Sequence, residues 1–389
     1  MILQAVQKYN TKVFLVGGPV RDWFLANCQT RLTDSQIDLD ITVENNYEQV
    51  GRDLAHKFTA KIIHYPQFMT MTLSLKDGSH IDIAQTRKEY YPSPGALPKV
   101  SPASIKEDLK RRDFTINAMA LEITKKPSYR ITDPFNGRND LKRKLIRILH
   151  PRSFIDDPTR IFRAIRFATR LGFKIETNTK TLMKKVIKGK LLRLLSGERV
   201  LYEIKMIMME RKSLQIIKSL QDFGIINKIF GIKLSKKFFL EHQPVTDSHS
   251  KLVHFFSYIP ESSWTKYPLL KETMESSQVI RNFSAYRTKL IRRNKPSKIY
   301  QILKPIPNSA LEILSLLEKK PITDKIKSYL TKYSKVKIFT TGETLKALKI
   351  LPGPNYSKIM NEILYQKLDG NIKNKTDEMK YIKKNIINV

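Results

Sequence analysis

The stretch 13–43 restricts this chain more than any other. It opens VFLVGGPVRDWFL and closes DSQIDLDITV. Val13–Val16 predicts a short apolar strand that runs into Gly17 and Gly18, where Gly, Gly and Pro19 end it. VRDWFLAN then predicts a helix. Asp38–Val43 alternates as a strand, which puts Asp38 and Asp40 on one face and Leu39 and Ile41 on the other. Two carboxylates side by side repel unless a cation lies between them. Oxygen ligands of this kind suit Mg²⁺, whose shell substrate phosphates can complete. A solvated strand edge is the plain alternative. The preceding GG-x-x-RD favours a site, because backbone without Cβ approaches a triphosphate closely and Arg21 can clamp its oxygens bidentately.

Further along, 47–58 predicts an amphipathic helix, with Val50, Leu54 and Phe58 at helical spacing. Strands are predicted at 61–65, 69–75 and 80–84, with Asp77 and Gly78 as a hairpin turn. Strands around one helix predict a small mixed sheet. Asp82 on the return strand is either a third carboxylate near the metals or a surface or ion-paired residue. RKEYYPSPGALPKVS (87–101) is rich in Pro and Gly and predicts an irregular loop. EDLKRRDFTINAMAL (107–121) predicts an amphipathic helix with a basic start at Lys110, Arg111 and Arg112.

FIDDPTRIFRAIRFATRLGF (154–173) is the most informative later segment. Asp157 followed by Pro158 predicts a helix start, and Gly172 its stop. Phe162, Ile165 and Phe167 or Ala168 give an apolar side. Arg160, Arg163, Arg166 and Arg170 give a basic stripe. Helix capping and a solvated face are the plain explanations. Against them, Asp157 and Arg160 lie one turn apart and can face one planar ligand together. A carboxylate accepts from an exocyclic amino group, and a guanidinium donates to a ring nitrogen or carbonyl. Cytosine and adenine carry an amino group beside an acceptor; uracil and guanine show a carbonyl there. This pair can therefore select C and A without a nucleic-acid template. SGERVLYEIKMIMM (196–209) predicts a helix capped by Ser196.

Lys and Arg number 71 against 36 Asp and Glu, a net charge of +35. That predicts a polyanionic partner, with a lysine-rich proteome as the alternative cause. Beyond residue 210 the chain predicts mostly helix. Seven basic and no acidic residues fall in 281–300, with Phe283, Tyr286 and Tyr300 between them. That suits an RNA backbone and stacked bases and equally suits a lysine-rich packed helix. The single cysteine, Cys28, allows no internal disulfide and predicts a reducing compartment. No apolar run approaches membrane-spanning length and the start lacks a signal-peptide pattern, so a soluble, cytoplasmic protein without a membrane partner is expected.

GGPVRD followed by DLD, then RRDFTINAMA, then D-x-x-x-G-x-x-D-L at Asp133, Gly137, Asp140 and Leu141, then DDPTR, then Glu198, Arg199 and Glu203 stand in that order over 11–209. Together they resemble the class II tRNA nucleotidyltransferases and poly(A) polymerases, of polymerase-beta-like fold. The resemblance implies an α/β head with a small mixed sheet at 1–145. An all-α nucleotide-selecting neck at 146–210 and an elongated helical tRNA-binding body and tail at 211–389 follow. It implies transfer of CMP or AMP from CTP or ATP to the tRNA 3′ end, building or repairing CCA. Asp38 and Asp40 would be catalytic and hold two Mg²⁺ ions. Gly18 and Arg21 would position phosphates with Arg112 assisting, and Asp113 and Asn117 would brace the site. Asp157 and Arg160 would read the base, and Arg163 and Arg166 would support base, primer or phosphates. Glu198, Arg199 and Glu203 would hold the preceding helix, and the 87–101 loop would help switch the pocket between nucleotides. Asp156 stands where some members have Glu, and DDPTRIFR also resembles members that add only the terminal adenosine. A-addition alone, poly(A) synthesis and an inactive RNA-binding protein are the alternatives. No obligate protein partner is implied.

Overall fold

The structure is a computed structural model that describes residues 8–26, 38–124 and 130–387; Asp38 is described through its backbone, and Cys28 lies outside the described residues. Contacts divide the chain into two compact units, 1–203 with 210–233 and 204–209 with 234–389.

The first unit is built on a mixed sheet. Its strands are β1 (Val13–Val16), β2 (Asp38–Val43), β3 (Lys61–Tyr65), β4 (Thr70–Ser74) and β5 (His80–Gln85), with two later ones at Ala120–Glu122 and Arg130–Thr132. The order is β3-β4-β5-β2-β1, followed by the two later strands. β2 and β5 run parallel, with Asp40 opposite Asp82, and the other neighbours run antiparallel. Helix α1 (Gly18–Leu25) leaves β1 directly, and α2 (Tyr47–Phe58) covers the sheet. Val13, Ile41, Val50, Leu54, Met71, Leu73 and Ile83 form the core between them. The alternation along β4 and the 3–4 spacing in α2 bury one face each, as the sequence predicts, whereas β2 buries Thr42 as well as Ile41 and Val43. Asp77 accepts from Ser79 N at 2.8 Å and closes the β4–β5 turn.

Two expectations are corrected. Residues 87–101 are not irregular throughout: β6 (Arg87–Tyr90) and β7 (Lys99–Pro102) pair antiparallel. The prolines and glycine at 92, 94, 95 and 98 all fall in the connection. Pro102 ends its strand, where a missing N–H is tolerated. Nor is 107–121 one helix. Helix α3 (Ile105–Lys110) is short, and a 3₁₀ turn (Thr115–Asn117) and strand β8 (Ala120–Glu122) follow. Phe114, Ile116, Ala118, Met119 and Ala120 are all buried, which leaves no solvent face for an amphipathic helix. Asp113 also takes Phe114 N at 2.8 Å and Asn117 Nδ2 at 3.0 Å, a local alternative to helical bonding.

After β9 (Arg130–Thr132) come α4 (Gly137–Lys142) and the short strand β10 (Leu145–Ile146), which pairs in parallel with β11 (Lys174–Ile175). Asp133 accepts from Gly137 N at 2.7 Å, and Asp140 from Thr115 Oγ1 at 2.8 Å and Arg147 Nε at 2.9 Å. These acids tie a connector together. Helices α5 (Ser153–Asp156), α6 (Arg160–Leu171), α7 (Thr177–Lys188) and α8 (Gly197–Met209) follow. α6 starts later than predicted. Asp157 ends α5, and Thr159 precedes the first residue of α6. Gly172, at φ 68°, stops α6 as predicted.

The second unit is helical. Leu290, Ile299, Leu303, Leu311, Ile326 and Tyr329 centre one core, and Leu345, Ile363, Ile372 and Ile382 another. In 281–300, Phe283 is buried, Tyr286 stacks on it at 6.0 Å and Tyr300 packs on Tyr329 at 5.7 Å. These aromatics serve packing, while all seven basic residues are exposed. Among the described residues no helix is long and apolar enough to cross a membrane.

Candidate active site

The end of β1 delivers the chain into Gly17, whose φ of +71° is a backbone state L side chains rarely adopt. A Cβ there would sit 3.1 Å from Arg112 Nη1 and 3.2 Å from Asp40 Oδ2. Asp40 from β2 and Arg112 from the turn after α3 thus converge on bare backbone. Among the described residues, a Cβ on Gly18 would meet only Arg21 Nη2, at an ordinary 3.6 Å. The sequence drew the close approach from the Gly17–Gly18 pair; the positive φ and the tight contacts fall on Gly17.

Arg21 is buried in α1. Its Nε and Nη2 donate to the two oxygens of Asp22 at 2.8 and 2.9 Å, and its Nη1 donates to Asn117 Oδ1 at 2.8 Å. Asp22 was missed as a site residue. It is simply the Asp of GGPVRD, and only the fold shows it gripping its neighbour. Arg112 Nη2 donates to Asp108 at 3.1 Å, and its Nε is buried without a hydrogen-bond partner among the described residues. Burial alone would push the Asp108 carboxyl up, but Arg111 and Arg112 hold it below the usual carboxylate range.

Register on parallel strands puts Asp40 and Asp82 on one face of the sheet. Asp82 accepts from Thr72 Oγ1 at 2.5 Å. Among the described residues no group of three or more His, Cys, Asp or Glu can hold a metal ion. A cation here would take Asp40 and oxygens brought by a substrate. The donor set fits Mg²⁺, which takes one or two carboxylates and phosphate oxygens, and the bare Gly17 backbone beside Asp40 leaves room for them.

α6 carries the rest. Asp157 Oδ1 accepts from Thr159 N at 2.9 Å, Thr159 Oγ1 at 2.6 Å and Arg199 Nη2 at 2.5 Å. Arg160 is buried and donates to Ser153 Oγ and to Arg111 O, both at 2.7 Å. Arg163 pairs with Asp113 at 2.7 Å. Burial opposes charge on Asp113, yet Arg163 and the Asn117 hydrogen bond outweigh it and keep that carboxyl low. Arg166 reaches Glu210 at 3.3 Å and Arg170 reaches it at 3.7 Å. The arginine stripe is thus solvated only in part: Arg160 and Arg166 are under one-tenth exposed, while Arg170 is exposed.

From α8, Arg199 holds Asp157 and also the Gly95 carbonyl at 2.6 Å. Gly95 N donates to Asp156 O at 3.2 Å, so the β6–β7 connection is pinned beside Asp157. Glu203 is buried between Arg163 and Arg166; burial pushes its carboxyl up despite them. Gly17, Gly18, Arg21, Asp40, Arg112, Asp157, Arg160, Arg163, Arg166 and Arg199 all line one cleft of about 1320 Å³. That exceeds the few hundred to ~1000 Å³ usual for one small ligand.

Residues 13–147 match the family described as the poly A polymerase head domain, and 172–232 match the one described as a probable RNA and SrmB-binding site of polymerase A. Similar proteins include an A-adding tRNA nucleotidyltransferase of Geobacter sulfurreducens, 32% identical over 95% of this chain and 44% of that one. One of Halalkalibacterium halodurans is 28% identical over 96% of this chain and 88% of its own. The chain spans less than half the length of the Geobacter protein and of its Aquifex aeolicus counterpart. Among solved structures, an apo CCA-adding enzyme superposes with TM-score 0.75 at 30% identity over 98% of this chain and 93% of that one. A Thermotoga maritima CCA-adding enzyme complexed with tRNA gives 0.70 at 28%, over the same shares.

Proposed function

Because this chain belongs to the family of class II tRNA nucleotidyltransferases and poly(A) polymerases, we propose that it transfers CMP or AMP from CTP or ATP to the 3′-hydroxyl of tRNA, releasing pyrophosphate. One observation carries the reading: a single cleft joins Asp40 and the Gly17 turn to Asp157 and Arg160. A site for phosphate chemistry and a site for reading a base therefore share one space. The chain is divided for this work into a catalytic head at 1–145, a nucleotide-selecting neck at 146–210 and a tRNA-binding body and tail at 211–389.

Asp38 and Asp40 would hold two Mg²⁺ ions. When bound, Mg²⁺ lowers the pKa of the attacking hydroxyl and screens the leaving pyrophosphate. Backbone at Gly17 and Gly18 admits the triphosphate closely, and Arg21 and Arg112 lie against it. Asp22 and Asn117 hold the Arg21 guanidinium in place, so little ordering is left to do when substrate arrives. Asp157 accepts from the base amino group and Arg160 donates to the acceptor beside it. Arg163, fixed by Asp113, and Arg166 flank base, primer or phosphates.

The output is CCA building or repair. A narrower reading, addition of the terminal A alone, is favoured by the A-adding relatives matched over 84–96% of this chain. Incubation with labelled CTP and ATP and tRNA ending at the discriminator base, at C or at CC tests both. CCA addition extends all three; A-addition extends only the last. Extension of none refutes nucleotidyl transfer.

A further inference from the structure

We infer that Tyr202 is a stacking platform for the last base of the RNA strand that receives the nucleotide, an inference that rests on nucleotidyl transfer as proposed above. Tyr202 lies on α8 and lines the cleft, yet 57% of it is exposed. Most large apolar side chains of this chain are packed in cores; this one is exposed and lines the cleft. It follows Arg199 by three residues, so the two share one side of α8. α6 shares the same cleft wall, with Arg163, Arg166, Phe167 and Arg170.

Arg160, the first residue of α6, and Asp157, three residues before it, form the base-facing pair. Arg170 lies ten residues on, about 15 Å further along the helix at 1.5 Å per residue. One incoming base does not need that far end. Glu203 Oε2 and Arg166 Nε are buried there without a hydrogen-bond partner among the described residues, and buried polar atoms of this kind call for a polar occupant. An aromatic face beside guanidiniums and unpaired polar atoms is how proteins hold single-stranded RNA: cations take the phosphates and the ring takes a base. A protein surface would be matched less well, because the wall offers one exposed ring among many cations. The strand that must enter this cleft for the reaction is the acceptor end itself.

The test compares tRNA ending in CC with the same RNA lacking only its last base, the terminal ribose and its hydroxyl being kept. Affinity is read by fluorescence anisotropy and transfer with labelled ATP, on the full chain. Tyr202→Ala should weaken binding of the intact RNA about ten- to hundredfold, the usual worth of one stacked base. It should leave the baseless RNA and the KM for ATP unchanged. Tyr202→Phe keeps the ring and should bind like the unaltered protein. If Tyr202→Ala weakens both RNAs equally, or neither, the platform is refuted while transfer stands. If the unaltered protein transfers nothing to the intact RNA, nucleotidyl transfer fails and the platform with it.

Discussion

At the residue scale, the site depends on atoms held within a few tenths of an ångström. Gly17→Ala tests this. The new methyl would demand φ of +71° from an L residue and press on Arg112 and Asp40 at just over 3 Å. The backbone penalty is about 1–2 kcal/mol, and the crowding falls on the two groups nearest the proposed phosphate site. Turnover should drop by at least about a hundredfold while the melting temperature moves only a few degrees. Near-normal turnover would remove Gly17 from the site. Asp157→Asn tests base reading. Asn keeps an oxygen for the Thr159 N turn bond, but it loses the charge that meets Arg199 and a base amino group. The variant should melt close to the unaltered protein and misincorporate U or G, because one base contact is worth about 1–3 kcal/mol of discrimination. Unchanged fidelity would make Asp157 a turn-former only. The sequence named Arg21, Arg112, Asp157 and Arg160 through ordered motifs. It could not show that Asp22 orders Arg21, or that Arg199 grips Asp157, because those bonds join side chains whose rotamers only the fold sets.

At the scale of elements, α2 and the β4–β5 hairpin were legible because each buries one face and its period survives in the sequence; β2 keeps its alternation in the sequence although Thr42 is buried too. The segment 107–121 was not legible, since its residues are buried on all sides and burial erases the period. The β6–β7 hairpin was hidden because its Pro and Gly content belongs to its tip. One pair of helices was not foreseen to hold anything special. His242, on the helix Lys236–His242, and His254, on the helix Ser248–Ser257, approach through their Nδ1 atoms at 2.9 Å. Both rings are buried and stack on Phe238. Burial, with Lys251, pushes His242 down to about 4; burial, with His242, pushes His254 down to about 3. Their folded pKa values thus lie below the ordinary 6.5, so the unfolded chain binds the extra protons. Stability is full above pH 6.5 and is lost as pH falls toward 4 and 3. Within that window each tenfold rise in proton concentration costs roughly 1.4 kcal/mol per histidine, so acidification to pH 5 should cost a few kcal/mol. Thermal melts between pH 7 and 5 should fall steeply. The double variant His242→Leu with His254→Leu should fall much less, since ordinary carboxylates titrate mostly below that window. Parallel curves for the two proteins would refute the assignment.

At the scale of the molecule, net charge and the residues that carry it predict how RNA is held. Of the charge of +35, 281–300 carries seven basic residues, of which Arg287 pairs with Glu318. Arg292, Arg293 and Lys295 are exposed, while Phe283, Tyr286 and Tyr300, the bases' only stacking candidates in that stretch, are packed into or against a core. Stacking therefore drops out of the reading for this segment, and attraction to phosphates remains. Phosphate binding releases counterions, so log affinity falls linearly with log salt, with a slope near 0.9 per contact on a duplex. For six to ten contacts the loss between 50 and 200 mM salt is about 10³- to 10⁵-fold. The triple variant Arg292→Glu, Arg293→Glu, Lys295→Glu should flatten that slope by about 0.9 for each contact removed. It should weaken RNAs of different sequence alike and leave the KM for ATP unchanged, because none of the three lines the cleft. An unchanged slope in the variant would mean that these charges serve only to keep a lysine-rich helical surface solvated, and that the RNA is gripped elsewhere.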